Sequence, residues 1–304
     1  MRRMIPRQAR PILLAIPLLL GLWACAPLST PSPTATVPPP TATSTSIPPT
    51  ITPTPTATPL GCLTQPGRVE QGVIETSTGA QEYLIYLPPC YAEQTALRYP
   101  VLYLLHGQTF TDDQWVRMGA VRVADELILS GESPPFIIVF PDDRSWNLKA
   151  GPSFGNRLIQ DLIPYIDETY RTRDDRVHRA MGGLSRGGGW TVELGLTHWE
   201  MFGALGLHSP AVAKEDAPYL SRWVSAIPSE SLPRIWLDIG DRDTGLSSAR
   251  RFEDILTYYS VPHEWHQYAG DHTENYWGAH VEEYLRWYTQ GWLVEGQTPV
   301  PEAE

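Results

Sequence analysis

Three cysteines in 304 residues are too few for a disulfide-stapled scaffold. No CxxC or HxxxH spacing is present to suggest a zinc site, so no metal is expected. Long apolar runs are missing too. The one candidate, residues 11–24, is broken by Pro11 and Pro17 and is short for a membrane span. Charge is absent from residue 11 to residue 67. Beyond that gap positive charge is in deficit: the chain has a formal net charge of −11, while Arg2, Arg3, Arg7 and Arg10 are all at its start. Residues 61–304 are therefore strongly acidic, which argues against a nucleic-acid partner.

What is present divides the chain into regions. Four arginines followed by a short apolar run form the charged and hydrophobic parts of an export signal. The run ends in Leu22-Trp23-Ala24-Cys25, which resembles a bacterial lipobox, in which the cysteine is lipidated and becomes the new N-terminus. Residues 1–25 are thus expected to be a lipoprotein signal peptide with Cys25 as the lipidation site, the only membrane contact. Residues 26–60 read as a linker. Eleven prolines and eleven threonines fall within residues 27–60, a composition that cannot bury a core and favours extended polyproline conformation, with a reach of roughly 100 Å. If Cys25 carries lipid, Cys62 and Cys90 remain. An oxidising compartment allows them to pair; the alternative is two free thiols. Residues 61–295 are expected to fold, and residues 296–304 to form a loose tail.

Within the folded part, residues 69–76 and 82–87 suggest an opening hairpin with Gly79 near its turn. Residues 101–105 (VLYLL) and 136–140 (FIIVF) are continuous apolar runs, as for strands covered on both faces. Residues 179–184, 203–207, 234–239 and 264–268 are further strand candidates. Helical spacing is found at 157–170, where Pro164 interrupts it, and at 191–197, 249–259 and 279–288. Strands alternating with helices predict an α/β fold with a mostly parallel sheet and helices on both faces.

The chemistry is expected at strand ends. Gly183-Leu184-Ser185-Arg186-Gly187 matches G-x-S-x-G, a strand-to-helix turn so sharp that glycines must flank the serine it exposes. Ser185 is the candidate nucleophile. His272 follows the last strand candidate, where a loop reaches back over the sheet, and is the candidate base. The acid that orients it is sought in Gly240-Asp241-Arg242-Asp243, where either aspartate could serve. The order Ser, Asp, His is that of the α/β-hydrolases. The strand at 101–105 runs into His106-Gly107-Gln108, so the backbone N–H groups of Gln108 and Arg186 are candidate oxyanion donors. His106 itself is expected to be structural. Trp115, Trp146, Tyr276 and Trp277 lie in loops near strand ends, and the three tryptophans are the candidate substrate contacts.

Together with Tyr86-Leu87-Pro88-Pro89, Tyr99–Gly107 and Phe140-Pro141-Asp142-Asp143, these segments resemble the esterase family of α/β-hydrolases. That family includes feruloyl esterases, enterochelin esterases, S-formylglutathione hydrolase and the mycolyltransferases. The resemblance covers nearly all of residues 68–290. It implies an α/β-hydrolase fold and serine-dependent hydrolysis of a small-molecule or carbohydrate ester without a cofactor. It also favours Asp243 over Asp241, because relatives place the acid in a G-x-x-D turn. Arg186 departs from the apolar residue many relatives carry after the serine. Two rival readings are an acyltransferase, in which a sugar hydroxyl replaces water, and a catalytically inert surface binding module.

Overall fold

The computed structural model describes residues 61–143, 153–212 and 217–292. Cys25, the linker, Trp146 and the tail lie outside them. Eight strands form one sheet: β1 (Arg68–Thr76), β2 (Gly79–Leu87), β3 (Val101–Leu105), β4 (Ile137–Pro141), β5 (Arg179–Leu184), β6 (Ala204–His208), β7 (Arg234–Gly240) and β8 (Glu264–Tyr268). Their order across the sheet is β1-β2-β4-β3-β5-β6-β7-β8. Strand β2 runs against both neighbours, and every other adjacent pair is parallel.

The helices are α1 (Gln114–Arg117), α2 (Ala120–Leu129), α3 (Ser153–Asn156), α4 (Ile163–Thr169), α5 (Arg186–Thr197), α6 (Ala217–Ala226), α7 (Leu246–Tyr258) and α8 (Glu274–Gln290). Because side chains alternate along a strand, each central strand serves two cores. Val101, Tyr103, Met181, Leu205 and Leu237 pack with residues of α4, α5, α6 and α7. Leu102, Leu104, Ala180, Ala204 and Trp236 pack with α2 and α8. All five residues of β3, β4 and β6 are buried, which is why β3 and β4 read as apolar runs; β6 carries one buried polar residue, His208, at its end. The fold is an α/β-hydrolase fold, with a mostly parallel eight-stranded sheet between two helical layers.

Two local outcomes differ from the sequence expectation. The helix expected over residues 157–170 is present, but as the middle and end of one continuous helical run: α3, a π-helical stretch at Arg157–Leu162 and then α4, which holds Pro164. The backbone on both sides of the π-helical stretch stays helical, and Pro164, which lacks the N–H for one helical hydrogen bond, falls two residues beyond that stretch. Helices α2 and α6 were not anticipated, although Ala120, Val123, Ala124, Leu127 and Ile128 of α2 bury one face at helical spacing. Ahead of β1, Cys62 is joined to Cys90 in the loop after β2. Among the described residues, no helix is long and apolar enough to cross a membrane and no cluster of ligating side chains could hold a metal ion.

Candidate active site

Strand β5 ends at Leu184 and α5 begins at Arg186, so the whole reversal falls on Ser185. Its backbone is at φ 53°, in a region that disfavours side chains. The turn depends on close backbone approach. A Cβ on Gly183 would lie 2.4 Å from the Gly187 carbonyl carbon, and one on Gly187 would lie 2.3 Å from the Leu105 carbonyl oxygen. Neighbouring backbone fixes the serine from both sides: Ser185 N–H donates to His208 O at 2.9 Å, and Ala211 N–H donates to Ser185 O at 2.8 Å.

The loops after β7 and β8 bring two side chains to this serine. His272 Nε2 is 2.8 Å from Ser185 Oγ, and His272 Nδ1 is 2.7 Å from Asp243 Oδ2. Asp243 Oδ1 accepts the Gly245 N–H at 2.7 Å, so both carboxylate oxygens are held. Burial alone would raise the pKa of Asp243. The hydrogen bond from His272, the Gly245 N–H and the His272 charge outweigh it and hold the carboxyl below the usual aspartate value. Asp241 is used differently: its carboxylate accepts Gly270 N–H at 2.9 Å and stands beside Arg242, which fastens the β7 loop to the loop carrying His272.

Gln108 and Ser185 line two clefts, one on each side of the serine. The larger, about 310 Å³, is bounded by Arg186, Trp190, Glu193, Val212, Leu220 and Trp223. The smaller, about 120 Å³, is bounded by Phe110, His272, Thr273, Glu274 and Trp277. Arg186 opens α5, so its N–H belongs to the helix's first turn, where backbone donors point outward and favour negative charge. Its side chain is buried and pairs with Asp143 at 2.7 Å. Asp143 also accepts the Trp190 indole N–H at 2.8 Å, so this one carboxylate holds two residues that line the larger cleft.

The aromatic candidates fare unequally. Trp115 is 1% exposed, its indole N–H donates to Leu105 O at 2.9 Å, and its ring packs edge-on against His208 and Tyr284. It belongs to the core and lines neither cleft; it lies in α1, a single helical turn and not the expected loop, and its side chain turns under the sheet's end. Tyr276 is likewise buried, with its hydroxyl on Asp238 Oδ2 at 2.8 Å. Trp277, in the first turn of α8, is buried as well, but its ring stands edge-on to His272 at 4.9 Å and lines the smaller cleft. Trp146 lies outside the described residues. Trp190 and Trp223 were not singled out from sequence. Trp190 was within reach of the argument, since it falls five residues after Ser185 on the helix that the serine begins.

A family model described as Putative esterase matches residues 78–288. The chain belongs to this family. It is 39% identical to an endo-1,4-beta-xylanase/feruloyl esterase of Xylanibacter ruminicola over 44% of this chain and 20% of that one. A solved ferulic acid esterase superposes with a TM-score of 0.68 at 26% identity, covering 75% of this chain and all of the other. A serine-to-alanine variant of the feruloyl esterase module from Clostridium thermocellum, complexed with sinapinate, superposes with a TM-score of 0.64 at 18% identity, over 76% of this chain and 92% of that one. The chain spans less than half the length of the curated relatives it matches.

Proposed function

We propose that the chain is an exported serine carboxylesterase that cleaves an acyl ester of a carbohydrate, with a hydroxycinnamoyl group such as feruloyl as the favoured acyl part. The observation that carries this reading is the unbroken line of hydrogen bonds from Ser185 Oγ through His272 to Asp243, with the serine on a strained turn at a helix N-terminus. Ser185 Oγ attacks the ester carbonyl while His272 Nε2 takes its proton. Asp243 fixes the tautomer and stabilises the imidazolium. The N–H groups of Gln108 and Arg186 receive the developing oxyanion. His272 then returns the proton to the leaving alcohol as the C–O bond breaks, and water, activated by the same histidine, releases the acid from the acyl-enzyme.

The direction of proton return assigns the two clefts. The leaving alcohol must lie next to His272 Nε2, and so in the smaller cleft with Thr273, Glu274 and Trp277. The acyl group then occupies the larger cleft, where Trp190 and Trp223 offer aromatic surface to a planar ring. Relatives named as feruloyl esterases support the same acyl class. Export and lipid attachment at Cys25 rest on the signal sequence, and the Cys62–Cys90 disulfide fits an oxidising compartment. Metabolic labelling with palmitate should mark the wild-type chain and not Cys25→Ser; equal labelling would remove the anchor.

The activity test is hydrolysis of p-nitrophenyl acetate, p-nitrophenyl butyrate and methyl ferulate by the purified chain beside Ser185→Ala and His272→Ala. Both variants should lose roughly 10⁴-fold or more in kcat while remaining folded. A folded but inert wild type, or activity that survives Ser185→Ala, would overturn the reading. Acylated sugar formed when an oligosaccharide is added would redirect it to acyl transfer.

A further inference from the structure

His106 is fully within the fold, 4% exposed, directly before the glycine of the oxyanion loop, and the mechanism above gives it no part. Its two ring nitrogens meet partners of opposite kind. Nδ1 lies 2.7 Å from Gly107 O, which can only accept. Nε2 lies 2.8 Å from Asp143 N, which can only donate. The two contacts are compatible with one protonation state: a neutral ring with its proton on Nδ1. Asp142 Oδ1 also stands 3.4 Å from Nε2, but the shorter contact from the Asp143 N–H occupies that nitrogen's lone pair.

The consequence reaches the next residue. Gly107 C=O and Gln108 N–H belong to one planar trans peptide and point in opposite directions. A ring that draws Gly107 O toward itself turns Gln108 N–H away from itself, toward the side where Gln108 and Ser185 line both clefts. The same carbonyl accepts Phe110 N–H at 3.3 Å, closing a turn in which Thr109 is held at φ 72°. Gly107 N–H in turn is held by Gln114 Oε1 at 2.8 Å. We infer that His106, as a neutral Nδ1–H imidazole braced by the Asp143 N–H, is a positioning residue that aims the Gln108 N–H at the oxyanion.

Asp143 thereby acts at two levels. Its backbone sets the tautomer of His106, and its carboxylate holds Arg186 and Trp190 at the larger cleft. The oxyanion donor and the wall of the acyl cleft are tied to one residue at the end of β4. The inference rests on the proposal that Gln108 N–H is an oxyanion donor, and its test is arranged to separate the two.

The first measurement uses the unaltered protein: nitrogen-15 shifts of the His106 ring at neutral pH, assigned by comparison with His106→Asn. The expected result is a protonated Nδ1 and a bare Nε2. An Nε2–H tautomer or an imidazolium overturns the inference. The second is kinetic, with His106→Ala and His106→Asn, on p-nitrophenyl acetate. The alanine variant should lose about 10- to 1,000-fold in kcat with KM changed by less than about twofold, since only charge developing on the carbonyl oxygen is affected. Its affinity for an aryl trifluoromethyl ketone, which forms the charged tetrahedral adduct, should fall in proportion. Asparagine can place an amide N–H near the Nδ1 position and should recover part of the loss. A folded His106→Ala with wild-type kcat, or a loss confined to KM, would overturn the inference while Ser185→Ala stays inactive. If Ser185→Ala is active, the esterase reading itself fails, and the ring tautomer still reports on His106.

Discussion

At Asp243 burial and hydrogen bonding compete directly. Its side chain is removed from solvent, yet its carboxyl titrates below the usual aspartate range because His272 and Gly245 N–H both stabilise the charge. A depressed folded-state pKa contributes stability that is complete above the unfolded value, near pH 4, and is lost as pH falls through the lower folded value. The Tm difference between wild type and Asp243→Asn should therefore narrow as pH falls below about 4; a difference that widens on acidification would mean that burial wins. The same variant should lose about 10⁴-fold in kcat at neutral pH, because an amide holds the wrong imidazole tautomer. Trp190 tests the cleft assignment. Removing its ring with Trp190→Ala should raise KM for methyl ferulate about 2- to 10-fold, in line with the worth of an aromatic contact, and leave KM for p-nitrophenyl acetate unchanged. Equal effects on both esters would place the ring outside the acyl site.

At the scale of elements, the ends of β6, β7 and α8 are joined by a buried cluster centred on Asp238. Its Oδ1 accepts His208 Nδ1–H at 2.6 Å and Trp236 Nε1–H at 2.9 Å; its Oδ2 accepts the hydroxyls of Tyr276 at 2.8 Å and Tyr284 at 2.7 Å. Burial and the Asp238 charge both push the two phenols up, so they remain donors. The cluster lies under the site: His208 O holds Ser185 N–H, and Tyr276 is four residues past His272. Asp238→Ala would strand four buried donors and should cost about 3–5 kcal/mol, read as a lowered midpoint in denaturant; a midpoint within experimental error of wild type would show that the donors find other partners. This cluster also marks the limit of sequence reading. Asp238 could be discounted as the acid because it falls inside a strand, but nothing in RIWLDIG says that four rings converge on it. Strands such as VLYLL were legible because two-sided burial leaves an apolar run, and Ser185 because the tight turn demands glycines. Trp115 misled because it lies not in a loop but in α1, a single turn too short for a helical period to show, and α2 was passed over although its buried face repeats at helical spacing.

For the whole molecule, the sheet order separates stability from chemistry. Strands β1 and β2 form one edge, while Ser185 follows β5 and the residues that complete its hydrogen-bonded line come from the loops after β7 and β8. The disulfide ties the segment ahead of β1 to the loop after β2, within that first edge. It closes a loop of 28 residues, for which the chain-entropy relation gives about 3.6 kcal/mol at 25 °C. Replacing both cysteines in Cys62→Ser/Cys90→Ser should lower Tm by about 7–14 °C for a domain of this size. Because strands β4 and β3 lie between this edge and the serine's strand, kcat and KM below the transition should match wild type. Melting curves and ester hydrolysis on the same preparations decide the matter. A drop in kcat without a drop in Tm would mean that the edge is coupled to the site through the sheet; a Tm unchanged in the double variant would mean that the linked segment is held by its other contacts, such as Gly67 N–H on Asp125.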